Sequence, residues 1–368
     1  MSAAPPVADR LTRLRASLAA SGLDAMLVSS LPNVRYLTGF SGSNALAVVT
    51  AAECVLLTDF RYATQVKHEV SADVRTVIEP VSLWTRLWAE LKSLGAVQVL
   101  AFESAHLTHQ DAARFLDATS DGSHWHWRPS INLVEILRES KDVNELASIR
   151  EAVKIAEHAL TRTLPHVGAG MTELQVAGIL EHELRSAGSE GFPFETIIAA
   201  GARSALPHAR ASSQMIAAGD LLLFDFGAVY AGYCSDITRT FVAGPTATAR
   251  QREIHTVVRE ANGSASALVR AGMRGRDADA LARGYIERLG FGEAFGHSLG
   301  HGIGLEIHEA PRLAKVVDAP LPAGAVITIE PGIYLEGWGG VRIEDDVFLT
   351  ADGPEVLTTF ERNLVELG

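Results

Sequence analysis

The chain has 368 residues, too many for one ordinary hydrophobic core, and its 47% hydrophobic and 21% charged residues exclude a disordered or fibrous protein. A net charge of −12 excludes a general nucleic-acid binder, because no basic field is available to collect phosphates. The two cysteines, Cys54 and Cys234, exclude a disulfide framework and fit a reducing compartment; with no run of eighteen apolar residues, they predict a cytoplasmic protein without a membrane partner.

Residues 1–22 open Pro/Ala-rich, lack the continuous apolar stretch of a secretion signal, and place Leu11, Leu14, Leu18 and Ala19 on one helical face ended by Gly22. Short buried strands are predicted over 25–28, 45–49 and 55–57, helices over 61–68 and 83–94, and a further strand over 97–102. This is an α/β domain over residues 1–130, closed by the Trp- and Pro-containing segment 124–129. The second domain takes residues 131–368. Its long first helix opens on a capping box of Asp142 and Glu145, with Leu146, Ile149, Val153 and Leu160 in 3–4 spacing. A second helix starts at Thr172, with Gln175 three residues on, and stops at Gly188. The period then changes to two: 220–229 and 233–242 read as a hairpin around Ala231-Gly232. Helices over 248–269 and 277–289 follow, then strands over 326–330, 332–335 and 341–349. The repeated order of helix pair and strands hints at a duplicated half-domain, without a residue-level repeat.

Four carboxylates, Asp225, Asp236, Glu330 and Glu344, are each expected inside a strongly apolar strand. A buried carboxylate must protonate, find a cation or ligate a metal, because an unpaired charge in a core is very costly. One such residue reads equally well as a buried salt bridge. Four in one domain, with few lysines nearby, point to metal. Asp225 and Asp236 flank the hairpin turn and can face one another across it, while Arg342 and Glu344 share one face of the last strand. The segment 296–309 adds His297, His301 and His308 among glycines that let backbone pack closely. Hard oxygen ligands with a single imidazole, His301, suit Mn, Co, Fe or Zn, and bridging carboxylates suit two metals about 3.5–4 Å apart that hold a hydroxide. Cys234, two residues before Asp236, reads as a small buried strand residue rather than a nucleophile.

These residues resemble the pita-bread metallopeptidases, which include methionine aminopeptidase, aminopeptidase P and prolidase. The resemblance covers nearly the whole chain and is carried by 192–198, 204–208, 225–227, 235–240, 300–304, 329–334 and 341–345. Segments 33–40 and 58–62 resemble the creatinase-like extra domain of the proline-directed branch, which methionine aminopeptidases lack. The resemblance implies an N-terminal creatinase-like α/β domain followed by a pita-bread α+β catalytic domain, usually as a homodimer. It implies an Xaa-Pro peptidase that hydrolyses the bond before proline with a hydroxide held by two divalent metals, manganese first, cobalt or zinc as alternatives. Asp236 and Glu344 would bridge both metals, Asp225 would hold one, and His301 with Glu330 the other. Glu330 would also take the proton of the attacking water; His208, His297 and His308 would surround a proline-containing di- or oligopeptide, with Tyr334 and Arg342 holding ligands and substrate. Arg312, just past the Pro-anchored turn 308–311, is expected to hang over the pocket rather than lie in a strand. An arginine matching this position in prolidases faces the free carboxylate of the dipeptide, which favours a dipeptidase; an aminopeptidase P on longer peptides is the alternative, and a non-enzymatic binding module of the same fold a remote one.

Overall fold

A computed structural model describes residues 6–95, 97–117 and 121–367, so the first five residues of the Pro/Ala-rich opening lie outside the described residues. The chain forms two compact units, residues 1–138 and 139–368.

The first unit runs α1 (Pro6–Ala20), β1 (Ala25–Val28), α2 (Leu31–Thr38), β2 (Ala45–Thr50), β3 (Cys54–Asp59), α3 (Val66–Glu69), β4 (Arg75–Glu79), α4 (Leu83–Ser93), β5 (Val99–Glu103), α5 (His109–Leu116), β6 (His126–Ser130) and the start of α6 (Glu135–Glu139). Its strands make one sheet in the order β4-β3-β2-β1-β5-β6. The β1–β2–β3 run is antiparallel and the flanking pairs are parallel. Fully buried strands such as Ala25–Val28 need cover on both faces, and Leu87, Trp88 and Phe115 from the helices supply it on one. The helix predicted over 61–68 is instead a 3-10 turn at Phe60–Tyr62 followed by the single turn of α3. Asp59 explains the break: its carboxylate accepts from both the backbone and the side chain of Arg61 and fixes a tight turn. The compact unit ends after Arg138, eight residues beyond the expected boundary at 130. Tyr36 Oη donates to the Leu137 carbonyl at 3.0 Å, and Arg138 Nη1 donates to Asn33 Oδ1 at 2.6 Å, tying this stretch to the first unit.

The second unit opens with α7 (Val143–Thr163) and α8 (Glu173–Ser186), and both predicted capping boxes are present. Strands β7 (Ile197–Ala200), β8 (Leu221–Phe226), β9 (Val229–Tyr230), β10 (Tyr233–Cys234) and β11 (Ile237–Ala243) follow. The hairpin pairs β8 with β11, setting Asp225 opposite Thr238, and β9 with β10 at its tip. Next come α9 (Ala249–Leu268), α10 (Gly275–Arg288), β12 (Gly300–Gly302), β13 (Glu309–Leu313), β14 (Val326–Ile329), β15 (Gly332–Leu335), β16 (Gly339–Arg342), β17 (Asp345–Leu349), β18 (Pro354–Val356) and β19 (Glu366–Leu367). One sheet is ordered β19-β11-β8-β7 and another β13-β12-β14-β17-β18, with β15–β16 as a separate ribbon. The helix pair α7/α8 packs Leu160 and Leu180 against Phe224 and Phe241 of the first sheet. The pair α9/α10 packs Ile254, Val258 and Ile286 against Ile327 and Val347 of the second. Two helix-pair-on-sheet layers thus follow one another along the chain. Thr172→Ala should destabilise this unit by about 1 kcal/mol, because its hydroxyl accepts from the Gln175 amide at the start of α8. A shift in the urea midpoint checks this.

The long strand predicted over 341–349 is broken. Strand β16 pairs with β15, β17 pairs with β14, and Glu344 sits between them, its amide donating to Thr238 at 3.1 Å. Glu330 lies just past β14 and before Pro331, which cannot donate to a ladder. Asp236 lies between β10 and β11. Of the four acidic residues expected inside strands, Asp225 alone stands within one. The other three occupy the ends where the chain leaves one ladder for another.

Candidate metal centre and substrate cavity

These strand ends converge on a cavity of about 830 Å³. Every residue expected at the site except Tyr334 lines it, as do Phe194, Glu195, Ile197, Pro207 and Arg210. Asp236, His301 and Glu344, all buried, bring ligand atoms within 4.8 Å of one another. His301 Nε2 stands 3.5 Å from Glu330 Oε1 and 3.9 Å from Asp236 Oδ2.

Charge makes this cluster unstable by itself. Burial, then Glu344 and Asp225, push the Asp236 carboxyl well above its ordinary value. Burial, then Glu330 and Asp225, do the same to Glu344. Burial pushes Glu330 up to about 8, against the pull of Arg342. His301 offers no positive charge in return, since burial lowers its imidazole to about 4. Its Nδ1 lies 3.1 Å from the Gly302 carbonyl, which can only accept, so Nδ1 carries the proton and the Nε2 lone pair faces the carboxylates. Among the described residues, Asp236 Oδ1 is buried with no hydrogen-bond partner. Crowded acidic oxygens, a neutral imidazole lone pair aimed at them and an orphaned acceptor fit divalent cations, which satisfy all three at once.

The surrounding groups orient this cluster. Thr238 Oγ1 donates to Glu344 Oε2 at 2.6 Å, and Thr328 Oγ1 to Glu330 Oε1 at 3.3 Å. Asn262 on α9 donates through Nδ2 to the carbonyls of Ile329 (2.8 Å) and Ile343 (3.2 Å), the residues before Glu330 and Glu344. These three were not singled out from the sequence. A buried asparagine amid the apolar face of α9, and threonines in register with acidic residues, are the signals that could have found them.

Arg342 is buried and pairs through Nη2 with Asp225 Oδ2, through Nε with Thr238 Oγ1 at 3.1 Å, and through Nη1 with Tyr334 Oη at 2.8 Å. The Tyr334 hydroxyl also meets His297 Nε2 at 3.0 Å, and burial pushes its phenol up to about 12. Tyr334 therefore stands behind Arg342 and His297 and does not itself line the cavity, a place from which it can support the groups that do. His297 Nδ1 lies 2.8 Å from the Ser298 carbonyl, so both of its ring nitrogens are engaged within the protein. His308 is exposed, with its ring edge-to-face on His301 at 4.4 Å. Arg312 lines the cavity as expected but lies within strand β13, where no strand was expected. The proline before it is tolerated because β13 is an edge strand, and pairing with β12 sets Arg312 opposite His301, so both side chains face the cavity.

The comparisons agree with this architecture. Residues 10–140 match the creatinase/prolidase N-terminal domain and residues 147–351 match metallopeptidase family M24. An Xaa-Pro dipeptidase of Pyrococcus horikoshii is 35% identical over 94% of this chain and 95% of its own length. The structure of an Xaa-Pro dipeptidase from Bacillus anthracis superposes with a TM-score of 0.93 at 38% identity, covering 98% of this chain and 100% of that one. An X-Pro aminopeptidase from Thermotoga maritima gives 0.88 at 37% identity, over 97% and 99% of the two chains. With a creatinase-like unit ahead of an acid-and-histidine centre of this design, the chain belongs to metallopeptidase family M24.

Proposed function

We propose that the chain is a metal-dependent Xaa-Pro peptidase that cleaves the bond before proline, with Xaa-Pro dipeptides as its preferred substrates. One observation carries this reading: the acidic cluster, His308 and Arg312 line a single cavity in a chain whose relatives are named Xaa-Pro dipeptidases. Asp225, Asp236, His301, Glu330 and Glu344 would hold two divalent cations, manganese being the first to test and cobalt or zinc the alternatives. When bound, such ions supply a nucleophilic water at neutral pH and polarise the scissile carbonyl. Asp236 and Glu344 would contribute to both ions, Asp225 to one, and His301 with Glu330 to the other.

Glu330, a carboxylate at the cluster, would accept the proton released by the attacking water. His308 donates to the carbonyl oxygen as charge develops there. Arg342 pairs with Asp225 and, through Tyr334, fixes His297. A bond to proline offers no N–H, so the substrate must be gripped by its ring and its ends. Phe194, Ile197 and Pro207 supply apolar wall, and Arg312 supplies a fork for a free carboxylate. The reading extends to a cytoplasmic homodimer, which light scattering tests; no helix among the described residues is long and apolar enough to cross a membrane.

A second reading, an aminopeptidase acting on longer peptides, is favoured by the likeness to the Thermotoga enzyme. Substrate length separates the two. Arg312→Ala should lower kcat/KM for an Xaa-Pro dipeptide by about ten- to a hundredfold, from the loss of about 1.5–3 kcal/mol in a charged hydrogen bond. An Xaa-Pro-Xaa tripeptide, with no carboxylate at that place, should change far less. Wild-type protein that cleaves tripeptides well and dipeptides hardly at all would overturn the dipeptidase reading.

A further inference from the structure

Glu173, in the first turn of α8, is fully buried, and its carboxylate is given over to one loop. Oε1 accepts from the Ala200 amide at 2.9 Å and from Arg203 Nε at 3.1 Å. Oε2 accepts from the Ser212 amide at 3.0 Å and its hydroxyl at 2.7 Å. The donors stand at the two feet of the segment 201–212. Arg203 then spans the loop, its Nη2 donating to the Arg210 carbonyl at 2.7 Å. Between these staples lies His208, exposed on its turn and lining the cavity. Among the described residues it makes no hydrogen bond, so its place is set by main chain alone. The same loop meets the centre once more, where the Pro207 carbonyl accepts from Arg342 Nη1 at 3.2 Å.

We propose that Arg203, seated on Glu173, is a positioning residue that sets the 201–212 loop and thereby presents His208 to the substrate. The proposal rests on the peptidase reading of the cavity. It is tested with metal-loaded full-length protein and the dipeptide Ala-Pro, in a cycle of wild type, Arg203→Ala, His208→Ala and the double variant. Arg203→Ala should lower kcat/KM about tenfold without loss of bound metal, since a displacement near 1 Å in a substrate-holding group costs up to about a hundredfold. Arg203→Lys, keeping one donor, should recover part of the loss. In the His208→Ala background the Arg203 substitution should add less than about a twofold change, because its effect runs through that side chain. Activity of Arg203→Ala within about twofold of wild type, or a tenfold loss that persists without His208, would overturn the proposal. If wild-type protein turns over no Xaa-Pro peptide, the peptidase reading fails, and hydrogen exchange decides the clamp on its own. Arg203→Ala must then speed exchange across 203–212, and unchanged protection there refutes it.

Discussion

Asp236→Asn is expected to strip the divalent metal and to lower kcat/KM for Xaa-Pro substrates by about a thousandfold or more, equivalent to about 4 kcal/mol. The carboxylate stands at the middle of the cluster, with Oδ2 3.9 Å from His301 Nε2 and Oδ1 buried without a partner among the described residues. An amide there removes a charge and puts a donor nitrogen where a cation needs an oxygen. Glu344→Gln should behave alike. Asp225→Asn should cost less, because Arg342 already neutralises part of the Asp225 charge and that variant keeps the central oxygens. Metal analysis after dialysis checks the ordering; equal residual metal in all three variants would contradict it. The metal-free protein should show the reverse sign in stability. Asp236 and Glu344 have folded values well above their ordinary ones, and Glu330 is raised to about 8. A carboxyl raised in the folded state contributes stability that is present below its unfolded value near 4.5 and is lost as pH rises toward 8. Wild-type apoprotein should therefore melt lower at pH 8 than at pH 5, and Asp236→Asn, with one repelling charge fewer, should flatten that slope.

Much of this centre could be read from residues alone, because its chemistry conflicts with its surroundings. Asp225 in a Leu- and Phe-rich strand requires a partner charge or a metal, four such carboxylates in one domain point to metal, and Thr172 with Gln175 or Asp142 with Glu145 announces a helix start by a local mechanism. What period two cannot reveal is where a strand changes partners. The single strand expected over 341–349 alternates only as far as Glu344, ahead of Asp345 and Asp346, and Glu344 sits where the chain passes from the β15–β16 ribbon to the β14–β17 ladder. Arg312 was misplaced for a related reason: Pro311 signals a turn locally, and only the sheet order, with β13 at the edge, makes a proline acceptable within a strand. Tyr334 shows the limit of reading roles from position. Its hydroxyl serves His297 and Arg342, which are 37 and 8 residues away along the chain. The Asn262 contacts are equally non-local, joining a helix to two carbonyls far along the sequence.

His308→Ala is expected to lower kcat by about a hundredfold or more with metal content unchanged, the usual loss when one donor to a developing oxyanion is removed. His308 lies on the loop between β12 and β13 and lines the cavity, with its ring against that of the proposed ligand His301. Partial desolvation at the cavity, then the neighbouring Arg312 and His208, hold its imidazole below the ordinary value. It is therefore neutral at pH 7, with one N–H to give and no full charge that would bind a substrate carbonyl strongly before reaction. A neutral donor of this kind gains most when the oxygen becomes anionic, so its loss should appear in kcat rather than in KM. His308→Gln, which keeps a side-chain N–H at shorter reach, should recover part of the rate. The lowered imidazole value also fixes the pH response: activity that depends on neutral His308 should persist as pH falls past 6.5, until the ring protonates at its depressed value. A KM that rises while kcat holds would make His308 a substrate-binding group, and loss of metal in His308→Ala would show that the ring supports His301 instead of the reacting carbonyl.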